Sequence, residues 1–124
     1  MTQAAIQRFP SNKPLPLSRA VQAGGFLFLS GVLPAEADGT PVQGDIRTET
    51  RAVLQRIDET LADLGSDRGR VVRATVWLSD LADFGGFNEE YALFFGGGLP
   101  ARSAVQATLN RGARVEIEVL ALAA

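Results

Sequence analysis

The chain has 124 residues, of which 46% are hydrophobic, so we expect one domain over residues 1–124 with a single core. It contains no histidine and no cysteine, which excludes the usual transition-metal ligand sets, the Ser-His-Asp triad and histidine-pair ribonuclease mechanisms. Its formal net charge is −2 and its arginines are dispersed, which argues against nucleic acid as a partner.

No stretch of the sequence approaches the roughly 20 apolar residues that cross a bilayer. The first five residues lack the charged and then apolar character of a secretion signal. We therefore expect a cytoplasmic protein that does not contact a membrane.

The N-terminal third predicts two strands between irregular segments. Residues 1–16 contain three prolines and predict an extended arm. Residues 19–23 and 26–30 predict strands joined by a two-residue turn at Gly24-Gly25. Residues 31–44 are rich in glycine and proline and predict a loop that has room for one more short strand.

Two helices are predicted. The first begins after Asp45, a good N-cap, and ends before Gly65, which suits a left-handed C-terminal cap. The second runs from about Asp83 to Gly96 and carries an aromatic stripe. A core face is the favoured interpretation of this stripe, and a binding surface is the alternative. The stripe consists of Phe84, Phe87, Tyr91, Phe94 and Phe95.

Three further strands are predicted at residues 71–79, 103–108 and 114–123. In the first of them Val72, Ala74, Val76 and Leu78 alternate on one face and Trp77 lies on the other. The resulting order, β-β-α-β-α-β-β, is typical of an α+β protein with both helices on one face of the sheet.

The face of the sheet opposite the helices mixes polar and apolar side chains. A face that carries tryptophan and leucine is poorly suited to water, so we expect the chain to self-associate through it. The predicted members of this face include Thr75, Trp77, Glu116, Glu118, Leu120 and Leu122.

One arginine stands out because a proline precedes it at the start of a predicted strand. Pro100 fixes the backbone, so Arg102 is expected to project from a rigid rim. An arginine can bind a carboxylate with two parallel hydrogen bonds and stays charged at physiological pH. The pattern predicts a carboxylate site, with a surface ion pair as the alternative.

Several motifs along the chain carry a resemblance to a known family. They are the segment from Ala20-Val21 through Ser30-Gly31, the residues from Asp80 to Phe84, Phe87-Asn88-Glu89-Glu90-Tyr91, Phe94-Phe95, Pro100-Ala101-Arg102-Ser103 and Val115-Glu116-Ile117-Glu118. Together they resemble the RidA family, which is also called YjgF or L-PSP, over nearly the whole chain. The resemblance implies an α+β, chorismate-mutase-like fold with a mixed β-sheet and two helices on one face. It also implies a homotrimer in which the sheets form a central barrel, with three clefts between the subunits.

The resemblance implies an activity as well. RidA proteins hydrolyse reactive 2-imino acids and enamines, such as 2-aminoacrylate, to 2-oxoacids and ammonia. By this resemblance Arg102 holds the substrate carboxylate and Glu116 holds the attacking water. Gly31 and Ala104 line the pocket through backbone groups, and Asn88 supports it. An ion pair of Glu116 with Arg114 or another arginine at the interface between subunits is the alternative role for this glutamate.

Imines already hydrolyse in water, so an arginine and a carboxylate suffice to orient the substrate and to place a water molecule. We expect no cofactor and no metal.

The sequence departs from the family pattern near the expected pocket. Where these deaminases often have Gly-Pro-Tyr-Ser-Gln, this chain has Leu17 in place of the tyrosine and Arg19 in place of the glutamine. The glutamine often found after Ser-Gly is Val32, and the cysteine often found after Arg-Ser is Ala104. These changes predict a more apolar pocket.

Two other functions stay open at this point. One is a trimer, chaperone-like in character, that binds 2-oxoacids or other small carboxylates without turnover, in which Arg102 would be needed and Glu116 would not. The other is the endoribonuclease activity that the L-PSP name carries, which the missing histidines and the acidic balance disfavour.

Overall fold

Six strands form one mixed sheet, and the two helices pack against one of its faces. The structure, a computed structural model, describes residues 5–124. The strand order across the sheet is β1-β2-β3-β6-β4-β5. This arrangement confirms the predicted α+β class. The elements are β1 (Gln7–Pro10), β2 (Ser18–Ala23), β3 (Phe26–Leu29), α1 (Ile46–Asp63), β4 (Val71–Leu78), α2 (Phe84–Phe95), β5 (Ala101–Gln106) and β6 (Val115–Leu122).

The predicted turn at Gly24 and Gly25 is confirmed. Both glycines have positive φ angles, 58° and 84°, which only glycine adopts freely and which suit the tight turn of a hairpin. Strand β6 lies between β3 and β4 and is antiparallel to both, whereas β4 and β5 are parallel. The parallel pair needs a crossover, and α2 provides it.

Helix α1 begins and ends as its sequence predicts. The Asp45 side chain accepts a hydrogen bond from the Thr48 amide at 2.8 Å, which caps the first turn. Gly65 follows the helix with a φ of 78°. The buried face of α1, including Val53, Ile57 and Leu61, packs on the sheet.

A buried carboxylate that the sequence analysis did not single out fixes the start of α1. Glu49 is 3% exposed and accepts hydrogen bonds from the backbone amides of Gly44, at 3.2 Å, and Arg114, at 2.9 Å. Because Arg114 immediately precedes β6, Glu49 ties the first turn of α1 to the sheet.

Helix α2 buries three of its five aromatic side chains. Phe87, Tyr91 and Phe95 are in the core, and the ring centroids of successive members are 5.4 Å and 4.8 Å apart. Phe84 is 41% exposed, and Phe94 is half-buried. The aromatic stripe is therefore mainly a core face, as predicted, but it is exposed at its N-terminal end.

Two expectations from the sequence are corrected. Part of the predicted N-terminal arm is strand β1, which pairs with β2, while residues 1–4 lie outside the described part of the chain. Val72 does not face the core, because the register of β4 against β6 shifts between Val71 and Arg73. Val71 takes the buried position instead, at 5% exposure, and Val72 is exposed.

None of the helices in residues 5–124 has both the length and the apolar character needed to cross a bilayer.

Candidate active site

Arg102 lies within β5 and not at its rim, because the parallel pairing with β4 already begins at Ala101. Its partner in β4 is Ala74, which is fully buried under the helices. Paired residues of neighbouring strands project to the same face of a sheet. The Arg102 side chain therefore projects to the helix side, where it is half-buried.

The guanidinium of Arg102 is held by helix α2. Its Nη1 donates a hydrogen bond to Oδ1 of Asn88 at 2.8 Å. Its central carbon lies over three rings, 4.9 Å from the ring centroid of Tyr91, 5.5 Å from Phe84 and 5.6 Å from Phe87. The family resemblance assigns Asn88 a supporting role in the pocket of Arg102, and the structure brings the two side chains together.

Within residues 5–124, no carboxylate lies within ion-pair distance of Arg102. Other arginines do have such partners: Arg68 contacts Asp58 at 2.8 Å, and Arg19 contacts Asp63 at 3.0 Å. A half-buried cation that has only an amide and aromatic rings around it retains donors for an external anion.

Glu116 lies on the other face of the same sheet. It pairs with Trp77 in β6 and β4, between the buried residues Val115 and Ile117, so it projects away from the helices. Gly31 lies against its carboxylate, and a Cβ atom at Gly31 would collide with Oε2 of Glu116. The predicted neighbours Gly31 and Glu116 are thus brought together, and a side chain at position 31 would displace the Glu116 carboxylate from this place.

Two effects raise the pKa of the Glu116 carboxyl above its usual value of 4.5. Burial is the larger, and the negative charge of Glu118 is the second. No arginine or lysine of the described residues forms an ion pair with Glu116. Arg114, the alternative partner, instead donates to the Gly44 carbonyl at 2.8 Å and lies 3.6 Å from Asp83. Within one chain Glu116 and Arg114 are therefore not paired, and an ion pair of Glu116 with an arginine of a neighbouring copy stays a prediction.

Leu17 and Ala104 belong to opposite sides of this arrangement. Leu17 immediately precedes β2 and is 45% exposed. The carbonyl of the next residue, Ser18, accepts a hydrogen bond from Ser30 Oγ at 2.6 Å, so the segment that carries Leu17 adjoins the segment that carries Gly31. Ala104 pairs with Val76, a core residue, and so lies on the same face as Arg102.

The predicted site residues thus form two groups on opposite faces of the sheet. We call Arg102, Asn88 and Ala104 the arginine half, and Glu116, Gly31 and Leu17 the glutamate half. A small substrate cannot touch both halves of one chain, because the sheet separates them. Arginine and glutamate can meet on one substrate only when they come from different copies of the chain.

The sequence analysis missed one contact of the arginine half. It assigned Tyr91 to the core, yet this ring is the one whose centroid lies nearest the Arg102 guanidinium. Its three-residue spacing from Asn88, which places both residues on one side of a helix, could have indicated the contact.

The described residues contain no cluster of three or more aspartate or glutamate side chains that could hold a metal ion. The chemistry available at the two halves is that of one guanidinium, one carboxylate with a raised pKa, an amide and backbone groups.

Comparison with known proteins identifies the family. The chain matches the sequence profile of the family described as Endoribonuclease L-PSP over residues 10–123. It belongs to the RidA/YjgF/L-PSP family. It is 42% identical over 109 residues to a mouse protein named 2-iminobutanoate/2-iminopropanoate deaminase, which covers 86% of this chain and 81% of the mouse protein.

Two further relatives of the RidA family agree with this assignment. A RutC family protein of Pyrococcus horikoshii is 41% identical over 118 residues, which are 91% of this chain and 94% of the relative. The crystal structure of a YjgF family protein from Neisseria meningitidis has a TM-score of 0.85 at 34% identity, over 97% of this chain and 96% of that one. The resemblance and the chorismate-mutase-like α+β fold are confirmed.

Proposed function

We propose that the chain is a deaminase that hydrolyses reactive 2-imino acids and enamines, such as 2-aminoacrylate, to 2-oxoacids and ammonia. The observation that carries this proposal is the Arg102 guanidinium, which is half-buried, held by Asn88 and free of any carboxylate in residues 5–124. Such a group fits the carboxylate that all 2-imino acids carry. The name of the mouse relative, a 2-iminobutanoate/2-iminopropanoate deaminase, supports the reaction class.

The reaction needs little chemical assistance. An enamine such as 2-aminoacrylate first takes up a proton from water at C3, which gives the iminium form. Water adds to the iminium carbon, which gives a carbinolamine, and the C–N bond then breaks to release ammonia and the 2-oxoacid. Arg102 holds the carboxylate and so fixes the electrophilic carbon. Glu116 accepts a hydrogen bond from the attacking water and takes its proton, which the departing nitrogen later receives. The raised pKa of Glu116 brings this carboxyl closer to the working pH.

The site is proposed to lie between two copies of the chain in a homotrimer. The arginine half and the glutamate half are on opposite faces of one sheet, so a second copy must supply the missing half. The face that carries Glu116 also exposes apolar side chains, among them Phe28 at 47% and Leu122 at 41%. Packing between copies would remove this apolar surface from water.

Two substitutions test the proposal and distinguish turnover from binding. Arg102→Lys should lower kcat/KM for 2-aminoacrylate by roughly 10- to 100-fold, because an ammonium cannot form two parallel hydrogen bonds with a carboxylate. Glu116→Gln should lower kcat by roughly 10- to 10,000-fold and leave the affinity for pyruvate nearly unchanged. The substrate is generated in situ from serine by a threonine dehydratase, and pyruvate formation above the spontaneous rate is measured.

Arg70→Lys is the matched control. Arg70 is exposed and lies 3.7 Å from Asp67, and the substitution makes the same chemical change away from the arginine half. It should keep wild-type turnover. Wild-type turnover in Arg102→Lys would refute the carboxylate role. Pyruvate binding without any acceleration of imine hydrolysis by the wild-type chain would instead establish a binding protein.

A further inference from the structure

The arginine half contains a buried aromatic contact whose role goes beyond core packing. The ring centroid of Tyr91 is 4.9 Å from the central carbon of the Arg102 guanidinium. A cation this close to the face of an aromatic ring is attracted by the ring's negative face. Tyr91 and Asn88 lie three residues apart on α2, so the helix holds Arg102 both by a ring and by a hydrogen bond.

The Tyr91 ring is fixed by its neighbours. It is 3% exposed and packs between Phe87, at a centroid distance of 5.4 Å, and Phe95, at 4.8 Å. Phe84, another ring near Arg102, is 41% exposed, so packing restricts it less. Phe87 is equally well buried but its centroid is 5.6 Å from the guanidinium, so Tyr91 is the nearer of the two rings beneath Arg102 that packing fixes.

The hydroxyl of Tyr91 does not explain its position. It is buried and has no hydrogen-bond partner among residues 5–124. Burial raises the pKa of Tyr91 to about 12, although the charge of Arg102 acts in the opposite direction, so the phenol stays neutral at physiological pH. Within the described residues the contact of Tyr91 with Arg102 is thus made by the face of its ring and not by a hydrogen bond of its hydroxyl.

We propose that Tyr91 is a positioning residue that orients the Arg102 guanidinium for the substrate carboxylate through the face of its ring. This inference rests on the proposed function. The ring and Asn88 restrict the guanidinium from two directions, so the donors that Asn88 leaves free point consistently to one place. Weakening the ring's attraction frees the guanidinium, and the bound carboxylate must then order it at the expense of affinity.

The test varies the electron density of the ring while its shape is nearly preserved. Phenylalanine and its mono-, di- and trifluorinated forms are incorporated at position 91, and KM and kcat for 2-aminoacrylate are measured with the dissociation constant of pyruvate. Each fluorine withdraws charge from the ring face. We expect KM and the pyruvate dissociation constant to rise in steps, by roughly 2- to 30-fold across the series, with kcat within about twofold.

The same series at Phe95 is the control. Phe95 contacts the Tyr91 ring in the same core but is not among the rings close to Arg102. The fluorinated series at position 95 should leave KM unchanged. The KM of Tyr91→Phe, which carries no fluorine, should be within about threefold of the wild-type value. If KM does not change across the series at position 91 in an active enzyme, the inference about Tyr91 is wrong and the proposed function is unaffected. The same holds if the series at Phe95 changes KM equally. A wild-type chain that does not accelerate imine hydrolysis overturns the proposed function itself.

Discussion

Glu116 combines two properties that a residue handling water and protons needs. Its carboxylate is partly withdrawn from solvent, and its charge is disfavoured by the nearby negative charge of Glu118. Both effects favour the protonated form and raise its pKa, burial more than charge. A carboxylate with a raised pKa is a stronger base once it is ionised, which suits the removal of a proton from water.

Glu118→Gln should shift the pH dependence of turnover. It removes the charge that helps to raise the pKa of Glu116, so that pKa should fall while the effect of burial remains. Because Glu116 must be ionised to act as a base, the acidic limb of kcat/KM should move to lower pH. A pH profile between roughly pH 4 and 8 measures the shift.

Glu59→Gln on α1 is the control for net charge. Glu59 pairs with Arg56 at 3.0 Å on the helix side of the sheet, away from Glu116, so its removal should leave the acidic limb in place. An acidic limb that does not move in Glu118→Gln would mean that a group other than Glu116 controls it.

At the scale of elements, the sequence predicts helix ends and tight turns, because these depend on residues that are close together in the chain. The Asp45 cap, the Gly65 ending and the Gly24-Gly25 turn depend on neighbouring residues, and all were predicted. The bulge at Val72 was not, because a shift of register between β4 and β6 depends on residues about 50 positions apart. Strand β1 was missed because prolines dominate its surroundings.

The candidate site divides in the same way. Arg102 was predicted from its place after Pro100, the other members came from a family resemblance, and the structure adds how they are placed. The contact between Arg102 and α2 follows from the parallel pairing of β5 with β4, which sequence alone does not fix. The separation of Arg102 and Glu116 onto opposite faces likewise needs the register of three strands, β5, β4 and β6.

Glu49 gives a test of how α1 is joined to the sheet. Glu49→Ala removes the acceptor of two backbone hydrogen bonds, one from the loop before α1 and one from the residue before β6. We expect the free energy of unfolding to fall by about 1–3 kcal/mol, since both amides lose a charged acceptor. Urea unfolding followed by Trp77 fluorescence, at a fixed protein concentration, measures the change.

Glu59→Ala on the same helix is the comparison for this experiment. Its ion pair is on the surface, and its loss should change the free energy of unfolding by less than about 1 kcal/mol. An equally small loss in Glu49→Ala would show that the buried carboxylate does not stabilise this junction.

At the scale of the whole molecule, one face of the sheet packs in the core and the other is the face through which we propose that copies of the chain associate. The helix side holds the core, including Leu27, Val76 and Ile117, which are fully buried. The other side carries Glu116 among apolar side chains such as Phe28 and Leu120, and nothing in residues 5–124 covers it as a layer of helices would. One packing event between copies would therefore bury apolar surface and bring a glutamate half to an arginine half.

Mixing two inactive variants tests this shared site directly. Arg102→Ala has an intact glutamate half, and Glu116→Gln has an intact arginine half. If each site takes one half from each of two subunits, random exchange in an equal mixture restores both halves at about one site in four. We expect roughly a quarter of wild-type imine hydrolysis after the mixture is unfolded and refolded together, and only background activity when each variant is refolded alone.

Sedimentation of the wild-type chain checks the number of copies, and mixing without unfolding checks that subunit exchange is needed. Background activity in a refolded mixture that sediments as the wild-type oligomer would mean that Arg102 and Glu116 do not act on one substrate across subunits. The raised pKa of Glu116 would then have to serve a purpose other than turnover, since the sheet keeps the two residues of one chain apart.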